Sequence, residues 1–387
     1  MKIAKSVSRL GTEAVYNIFA KTKKLEKEGK EIIDLSLGQS DFKSPQHVVD
    51  ATIKALKDGH HGYTLPNGII ECREAVSKKI KNLYNANIDA ERIVIMPGGK
   101  PTMHYAISFF GEPGVEIIYP DPGFPIYESM INYTGAKGIP FNLIENKNFS
   151  FNSDKLISLI NEKTRLLILN NPHNPTGGFV EKSVIDKLAK SLMKFPHVTI
   201  LSDEIYDRLI FDNKEIPTFF NYPDLYDRLI VLNGWSKTYA MTGWRLGWGV
   251  WPENLIKHVF KFCVNNHSCV NTAAQYGAIT ALDGPEDHLN NMLEQFTYRR
   301  KLIVDGLRSL KGVECSLPGG SFFVFPNVKG TRMNGEKFTK RCLQEVGVAI
   351  IPGTAFGKFA SNNVRFNFAT SRENISKAIE KIDKMLQ

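Results

Sequence analysis

Five short apolar runs, each ending in a polar or glycine-rich turn, constrain the fold of this chain more than any other feature. They are rich in β-branched residues and read RIVIMPGG (92–99), VEIIYPDPG (115–123), RLLILNNPHNPTGG (165–178), VTILSDE (198–204) and RLIVLNGWSK (228–237). Runs that are apolar on both faces are typical of parallel strands covered by helices on both sides of a sheet. Helical periodicity lies between several of them: in EKSVIDKLAKSLMK, Val184, Leu188 and Leu192 recur at four-residue steps. The alternation predicts an α/β domain with a mostly parallel sheet over residues 46–282.

The rest of the chain predicts two further parts. Residues 283–387 are expected to form a smaller α+β domain. Its predicted elements are, in order, a helix over 285–310, two strands around the Pro-Gly-Gly turn of VECSLPGGSFFVFPNV, a helix over 335–346, the strands VAIIPG and VRFNFA, and a helix over 373–386. Residues 1–45 form an N-terminal arm, whose helix over 13–30 is expected to pack with the smaller domain or with a partner chain.

Composition and charge exclude several classes of protein. No stretch approaches the roughly 20 apolar residues that span a bilayer, and the start of the chain lacks the pattern of a secretory signal. The five cysteines are odd in number and lack CxxC spacing, which argues against structural zinc or a disulfide framework. The formal net charge is +9, but acidic residues dilute the lysines and no basic block stands out. We therefore expect a cytoplasmic protein without a metal, a membrane anchor or a nucleic-acid partner.

Polar residues follow three successive apolar runs at the point where each run ends. They are Asn174, Asp203 and Lys237. Because the carboxyl ends of parallel strands meet at one edge of a sheet, these side chains are expected to face one crevice. A buried carboxylate and a buried ammonium are unfavourable unless they are paired or neutralised. Position alone leaves a structural ion pair and a functional site equally open.

The first run adds a candidate phosphate site. MPGGKPTMHYAISFF places two glycines before Pro101 and an apolar helical stretch, so the free N–H groups of a helix start are accessible to an anion. Such a glycine pair is by itself more often only a turn. Arg245, eight residues after Lys237, adds a guanidinium that suits phosphate. A phosphate site, a lysine and a carboxylate together indicate pyridoxal 5′-phosphate (PLP), because the lysine forms a Schiff base and the carboxylate keeps the pyridine nitrogen protonated.

Five motifs resemble one enzyme family. NNPHNPTGG, SDEIYD, NGWSKTYAMTGWRLGW, PGGSFFVF and VRFNFA occur in the order found in class I/II aminotransferases of PLP fold type I. The chain is most similar to the aspartate/aromatic branch of bacteria and archaea, from about residue 10 to the end. The resemblance implies an α/β fold of type I, PLP as cofactor, a homodimer, and transfer of an amino group from an L-amino acid to a 2-oxo acid by a ping-pong mechanism.

The resemblance also implies roles around the cofactor ring. Lys237 matches the Schiff-base lysine and the base that moves the α-proton, and Asp203 matches the partner of the pyridine nitrogen. Tyr206 and Asn174 match the residues that hydrogen-bond the phenolic oxygen. Phe124 of PDPGFPIYE matches an aromatic residue that stacks on the ring, although a core phenylalanine is the alternative.

Further residues match the phosphate and substrate positions of the family. The implied phosphate ligands are Gly99, Lys100, Ser236, Arg245 and, from the neighbouring subunit of a homodimer, Tyr63. Arg365 matches the arginine that grips the substrate α-carboxylate, with Gly38 and Asn174 on the same side. A surface salt bridge is the alternative for Arg365, but its apolar surroundings argue against it.

Substrate choice and two rival functions stay open. Some aspartate-specific relatives place a lysine along the helix that starts near Pro101, where this chain reads AISFF, so an aromatic or neutral donor is also open. His267 is interpreted as structural rather than substrate-binding. Carbon–sulfur β-lyases share the lysine and the aspartate but eliminate from Cβ. A ligand-sensing regulatory module is the third reading, disfavoured because the N-terminal region is too short for a winged helix.

Overall fold

The structure, a computed structural model, describes residues 1–11, 14–212, 214–215 and 217–387. Its strands are β1 (Ile33–Asp34), β2 (Ile93–Met96), β3 (Glu116–Asp121), β4 (Lys137–Asn142), β5 (Thr164–Asn170), β6 (Thr199–Asp203), β7 (Leu229–Gly234), β8 (Gly247–Val250), β9 (Phe323–Val324), β10 (Val348–Ala349), β11 (Ile351–Pro352) and β12 (Val364–Asn367).

The α-helices lie between and after these strands. They are α1 (Ala14–Lys27), α2 (Gln46–Lys57), α3 (Ile70–Tyr84), α4 (Lys100–Phe110), α5 (Ile126–Thr134), α6 (Ser153–Ile157), α7 (Lys182–Leu192), α8 (Ile256–Asn266), α9 (Thr272–Asp283), α10 (Asp287–Ser309), α11 (Gly335–Glu345) and α12 (Arg372–Leu386). Among the residues that the structure describes, no helix is both long enough and apolar enough to cross a membrane.

A central sheet joins seven of the described strands in the order β2–β8–β7–β6–β5–β3–β4. The strands β3 to β7 pair in parallel, whereas β8 runs antiparallel to its neighbours β2 and β7. The five runs predicted from the sequence coincide with β2, β3, β5, β6 and β7. The prediction of a mostly parallel α/β sheet is therefore confirmed.

Two strands of the central sheet, β4 and β8, have no clear signal in the sequence. The edge strand β4 reads KGIPFN, in which Gly138 and Pro140 interrupt any β-branched pattern. The strand β8 reads GWGV, and packing requires its first glycine: a Cβ at Gly247 would lie 2.4 Å from the carbonyl carbon of Gly98. These strands are fixed by their neighbours rather than by their own β-propensity.

Two smaller sheets lie in the C-terminal part of the chain. The strand β1 pairs in parallel with β10, and β11, β12 and β9 form an antiparallel sheet. They share a hydrophobic core with α10, α11 and α12 that includes Phe296, Phe323, Phe338, Phe366 and Ile382. The helices predicted over 285–310, 335–346 and 373–386 are confirmed as α10, α11 and α12. The predicted strand VAIIPG is split into β10 and β11.

Of the two strands predicted around the Pro-Gly-Gly turn, the second is confirmed and the first is wrong. Only β9 forms a strand there, and the segment before the turn makes a single bridge, between Glu314 and Asn327. The N–H groups of Gly319 and Gly320 both donate to the carbonyl of Gly177, at 2.9 and 3.1 Å. The turn itself therefore binds the loop after β5, and its flanking segments pair only at the Glu314–Asn327 bridge.

The N-terminal helix α1 packs against β10 and β11. The prediction placed this helix over 13–30, but its first residue, Glu13, lies outside the described residues, and α1 ends at Lys27. The contact with β10 and β11 agrees with packing on the C-terminal part. The division of the chain into residues 1–45, 46–282 and 283–387 stays a prediction.

The register of the parallel strands brings their carboxyl ends together. Asn170, the last residue of β5, lies opposite Asp203, the last residue of β6, and Asp203 lies opposite Leu232 of β7. Parallel strands that end in register leave a crevice beyond their carboxyl ends, where the following loops meet. The residues that follow β5, β6 and β7 are therefore neighbours in space.

Truncation of single side chains on α7 tests how that helix packs on the sheet. Leu188 is fully buried in the central core, whereas Val184, one turn earlier, is only partly buried. We expect Leu188→Ala to lower the free energy of unfolding by about 2–5 kcal/mol, because it removes methyl groups and leaves a cavity. Val184→Ala should cost about 1 kcal/mol or less. Urea titrations of both variants measure the difference, and equal losses would contradict this orientation of the helix.

Candidate active site

Lys237 lies three residues beyond the end of β7, with its side chain half-buried above the sheet. Its Nζ donates to the carbonyl of Gly38 at 2.6 Å. The rings of Tyr206 and Phe322 lie 5.8 and 5.6 Å from the same atom, measured to the ring centroids. The amine is thus held between aromatic faces and one backbone acceptor.

The surroundings of Lys237 favour its neutral form. Burial, reinforced by the Arg365 and Arg245 cations, lowers the pKa of the Lys237 amine to about 8, while Asp203 opposes the shift and Lys100 adds to it. A cation beside other cations in a half-buried site loses part of its preference for the charged state. The amine therefore exchanges its proton close to neutral pH, as a nucleophile or a base must.

Asp203 is a buried carboxylate with two donors. The hydroxyl of Tyr127 donates to its Oδ2 at 2.7 Å, and the N–H of Ile205 donates to its Oδ1 at 3.3 Å. Burial raises the pKa of the Asp203 carboxyl to about 6, against these hydrogen bonds and the Lys237 cation. Sequence reasoning missed Tyr127; the available signal was its place three residues after Phe124, at the start of α5.

Tyr206 and Asn174 follow the strands β6 and β5. The buried Tyr206 ring meets Phe322 and Phe323 edge-on, at centroid distances of 5.5 and 5.9 Å, and burial raises the pKa of its phenol. Asn174 is held by its own N–H, which donates to Oδ1 of Asn170 at 2.9 Å. Its side-chain oxygen is directed at Arg365.

Arg365 is a buried arginine on β12. Its Nη1 donates to Oδ1 of Asn174 at 3.0 Å, and its Nη2 donates to the carbonyl of Ser36 at 2.6 Å. The guanidinium also lies 4.4 and 4.7 Å from the ring centroids of Phe323 and Phe356. A surface salt bridge is excluded as its role, because only 3% of the residue is exposed. The geometry presents a fixed planar cation to the crevice.

A cradle for an anion is built where β2 meets α4. Gly99 is the N-cap residue of α4, Lys100 is its first residue, and Pro101 follows, as the sequence predicts. The Arg245 guanidinium lies directly over the glycine before them, since a Cβ at Gly98 would be 2.3 Å from its Nη2. Sequence reasoning noted the glycine pair but not this close approach. The N–H groups of the helix start and the guanidinium share one small space.

Ser236 and Phe124 complete the near side of the crevice. Ser236 is buried beside Lys237. Phe124 is half-buried and meets Tyr127 edge-on at 5.9 Å, and Nζ of Lys100 lies 5.4 Å from its centroid. Phe124 also lines a cavity of about 260 Å³ that includes Tyr119, Thr354 and Phe356. It is therefore not a residue of the closed core, which was the alternative.

Tyr63 is not brought into the crevice by its own chain. Its side chain is 94% exposed. His267, interpreted as structural, has its Nδ1 3.3 Å from the Tyr105 hydroxyl, and burial lowers its pKa. This contact with α4 is consistent with a structural role.

Comparison with known proteins identifies the family of this chain. The family model described as "Aminotransferase class I and II" matches residues 30–382. The aspartate aminotransferase of Bacillus subtilis is 32% identical to this chain, over 100% of the chain and 99% of that protein.

Solved structures of the same kind superpose over nearly the whole chain. The aspartate aminotransferase of Rhizobium meliloti has a TM-score of 0.95 and 30% identity, covering 100% of this chain and 99% of its own. The aromatic aminotransferase of Pyrococcus horikoshii has a TM-score of 0.89 and 32% identity, covering 94% and 98%. The expected α/β fold of type I is therefore confirmed. By sequence and by fold, this chain belongs to the class I and II aminotransferases, enzymes that transfer amino groups.

Proposed function

We propose that this chain binds PLP in the crevice around Lys237 and moves an amino group from an L-amino acid to a 2-oxo acid in two half-reactions. The observation that carries the proposal is the half-buried Lys237 amine, with its pKa lowered to about 8, in the field of Asp203 and Arg365. An amine of this kind, a buried carboxylate and a fixed guanidinium are the groups that amino-group transfer requires.

The residues present fit PLP at three separate points. Asp203 offers a buried carboxylate for a protonated ring nitrogen, with Phe124 available for the ring face and Tyr206 and Asn174 for the phenolic oxygen. Lys237 offers the amine. For the phosphate the chain offers the helix start at Gly99 and Lys100, the Ser236 hydroxyl and the Arg245 guanidinium. This guanidinium leaves no room for a Cβ at residue 98. PLP supplies an aldehyde that condenses with amines and a ring that withdraws electrons from the substrate.

Each residue then has a physical task. The neutral Nζ of Lys237 takes the proton from the substrate α-carbon and holds it until it is returned, which its lowered pKa allows near neutral pH. The ionised Asp203 keeps the ring nitrogen positive. Arg365, already oriented by Asn174 and the Ser36 carbonyl, binds the α-carboxylate with little loss of side-chain freedom.

The substrate side chain is the finer question within this proposal. Similar proteins are named aspartate and aromatic aminotransferases, so acidic and aromatic amino acids are both candidate donors. A panel of L-aspartate, L-phenylalanine and L-alanine against 2-oxoglutarate and pyruvate, scored for oxo-acid formation, identifies the donor. Release of pyruvate and ammonia without any acceptor would instead indicate β-elimination.

Assembly and location are part of the same proposal. The exposed Tyr63 supports a homodimer in which this residue completes the phosphate site of the partner. The few cysteines, which form no disulfide in the structure, support a reducing compartment, and we place the enzyme in the cytoplasm.

Removal of the Lys237 amine tests the central assignment. We expect Lys237→Ala to lower the turnover of amino-group transfer by about 10⁴-fold, because both the nucleophile and the base are lost. Borohydride treatment of the unaltered enzyme with PLP should label Lys237 alone, as measured by peptide mass spectrometry. Lys214→Ala, which removes a surface lysine paired with Glu181, is the control and should keep its turnover. Normal turnover in Lys237→Ala would refute the proposal.

The pH dependence of cofactor affinity tests Asp203. Its pKa is raised to about 6, so below this pH the carboxyl is protonated in the cofactor-free protein and cannot accept from a cationic nitrogen. Binding of that nitrogen lowers the pKa, so the Asp203 component of PLP affinity should rise from pH 5 to about 6.5 and then level off, while loss of the Lys237 proton near pH 8 raises the affinity of both proteins. In Asp203→Asn this component should vanish and affinity should fall by about 10- to 100-fold. Absorbance titrations with PLP from pH 5 to 8 measure the affinity of both proteins. Parallel pH profiles for the two proteins would contradict this role of Asp203.

Subunit mixing tests the role of Tyr63. A heterodimer of Lys237→Ala and Tyr63→Ala subunits contains one site with both residues intact, if Tyr63 acts across the interface. We therefore expect a purified heterodimer to be more active than either variant homodimer, approaching half the activity of the unaltered enzyme. Steady-state assays of differently tagged, co-expressed subunits measure this. A heterodimer no more active than the Tyr63→Ala homodimer would show that the residue does not act across subunits.

A further inference from the structure

The segment of residues 36–41, called the strap here, lies directly over the Lys237 amine. The carbonyl of Gly38 accepts from Nζ at 2.6 Å. A Cβ at Gly38 would lie 4.0 Å from the same nitrogen and 3.2 Å from Cζ of Phe323, so the strap backbone is packed closely against the site. The position of one peptide carbonyl therefore decides whether the amine has an acceptor.

The carbonyls on both sides of Gly38 are bound by one side chain. Nδ2 of Asn367 donates to the carbonyl of Leu37 and, at 3.0 Å, to that of Gln39. The carbonyl of Gly38 lies between these two and accepts from Lys237 instead. Four consecutive carbonyls, from Ser36 to Gln39, thus accept from side chains outside the strap.

Strand β12 supplies the side chains that hold the strap. Arg365 and Asn367 are two residues apart on this strand and therefore lie on the same face. Arg365 binds the strap at Ser36, and Asn367 binds it at the next residues along. The strap thus runs alongside the strand in a fixed register.

The Asn367 amide is itself locked in orientation. Its Oδ1 accepts from the N–H of Ala369 at 2.7 Å, its own backbone N–H donates to the carbonyl of Leu35 at 2.8 Å, and the residue is only 4% exposed. With Oδ1 taken by a backbone donor, Nδ2 is directed at the strap. The N–H of Asp41 also donates to the Ala369 carbonyl at 3.0 Å, which anchors the far end of the strap.

We propose that Asn367 is a positioning residue, which holds the strap so that the Gly38 carbonyl accepts from the Lys237 amine. The consequence for catalysis rests on the role proposed for Lys237, but the contact itself does not. The Asn367 side chain donates to the strap carbonyls of Leu37 and Gln39. It acts through the backbone of the strap.

The expected effect follows from what faces the amine. Four charged groups act on Nζ: Asp203 at the end of β6, Lys100 of α4, Arg365 of β12, and Arg245. A change at residue 367 removes none of them. It frees the Gly38 carbonyl to move, and an ammonium that loses an acceptor is less stable in its charged form. The Lys237 pKa should therefore fall.

The experiment measures the titration of the Lys237 amine in the full-length protein after any bound PLP has been removed. Trace labelling with acetic anhydride across pH 6 to 10, followed by peptide mass spectrometry, gives the midpoint for Lys237 in the unaltered protein, Asn367→Ala and Asn367→Ser. We expect the midpoint to fall by about one pH unit in Asn367→Ala, the size of one weakened charge-assisted hydrogen bond. Asn367→Ser, which keeps a single donor, should fall less.

Asn363→Ala is the matched control. Asn363 is also 4% exposed and directly precedes β12, and its Nδ2 donates to Oε1 of Glu145 at 3.1 Å, away from the strap. Both alanine variants delete a buried amide, so both should unfold at lower temperature, whereas only the change at residue 367 should shift the Lys237 midpoint.

Two outcomes overturn the proposal: an unchanged midpoint in Asn367→Ala, or an equal shift in Asn363→Ala. If Asn367→Ala does not fold, the midpoint of Asn367→Ser decides in the same way. Because no cofactor is present, the result stands apart from the test of PLP binding: Lys237 can fail as the reactive amine while its contact with the strap is supported.

Discussion

The site depends on holding the Lys237 amine in the field of three other cations. Arg365, Arg245 and Lys100 all disfavour its protonated form, whereas Asp203 favours it. What makes the arrangement tolerable is that the amine keeps one backbone acceptor and lies between aromatic faces. Cations gathered in one crevice attract anions. The anions in the proposed reaction are the phosphate of PLP and the carboxylate of the substrate.

The central sheet makes this cluster possible through one close contact. The antiparallel strand β8 lies between β2 and β7, and its Gly247 packs on the backbone of Gly98. That approach keeps the start of α4 beside the turn that carries Arg245, whose guanidinium covers Gly98. A side chain at either glycine would collide with atoms of the cradle. The anion site is therefore a product of sheet packing, not of a loop alone.

The sequence predicts the strands and the strand-end residues but not the contacts between distant segments. Asp203 and Lys237 were found because parallel strands end at one edge of the sheet, a rule that needs only local patterns. Strand β8 was not predicted, because its glycines allow close backbone packing but have low β-propensity. The contact between Arg365 and Ser36 joins residues 329 positions apart, and that of Asn367 with Leu37 joins residues 330 apart. No periodicity within a window reports such pairs, and only the family resemblance placed Gly38 on the side of Arg365.

The missing strand before the Pro-Gly-Gly turn and the strap share one physical cause. The glycine turn at 319–320 gives its N–H groups to Gly177 in the loop that carries Asn174, and β12 gives its side chains to the strap. In both cases polar groups that a sequence pattern would assign to local structure instead join the C-terminal sheets to the central one. These links meet at the crevice, since Arg365 binds Asn174 on one side and the strap on the other. The acceptor of the amine and the partner of the guanidinium are thus set by the same strand, so a shift of β12 would alter both at once.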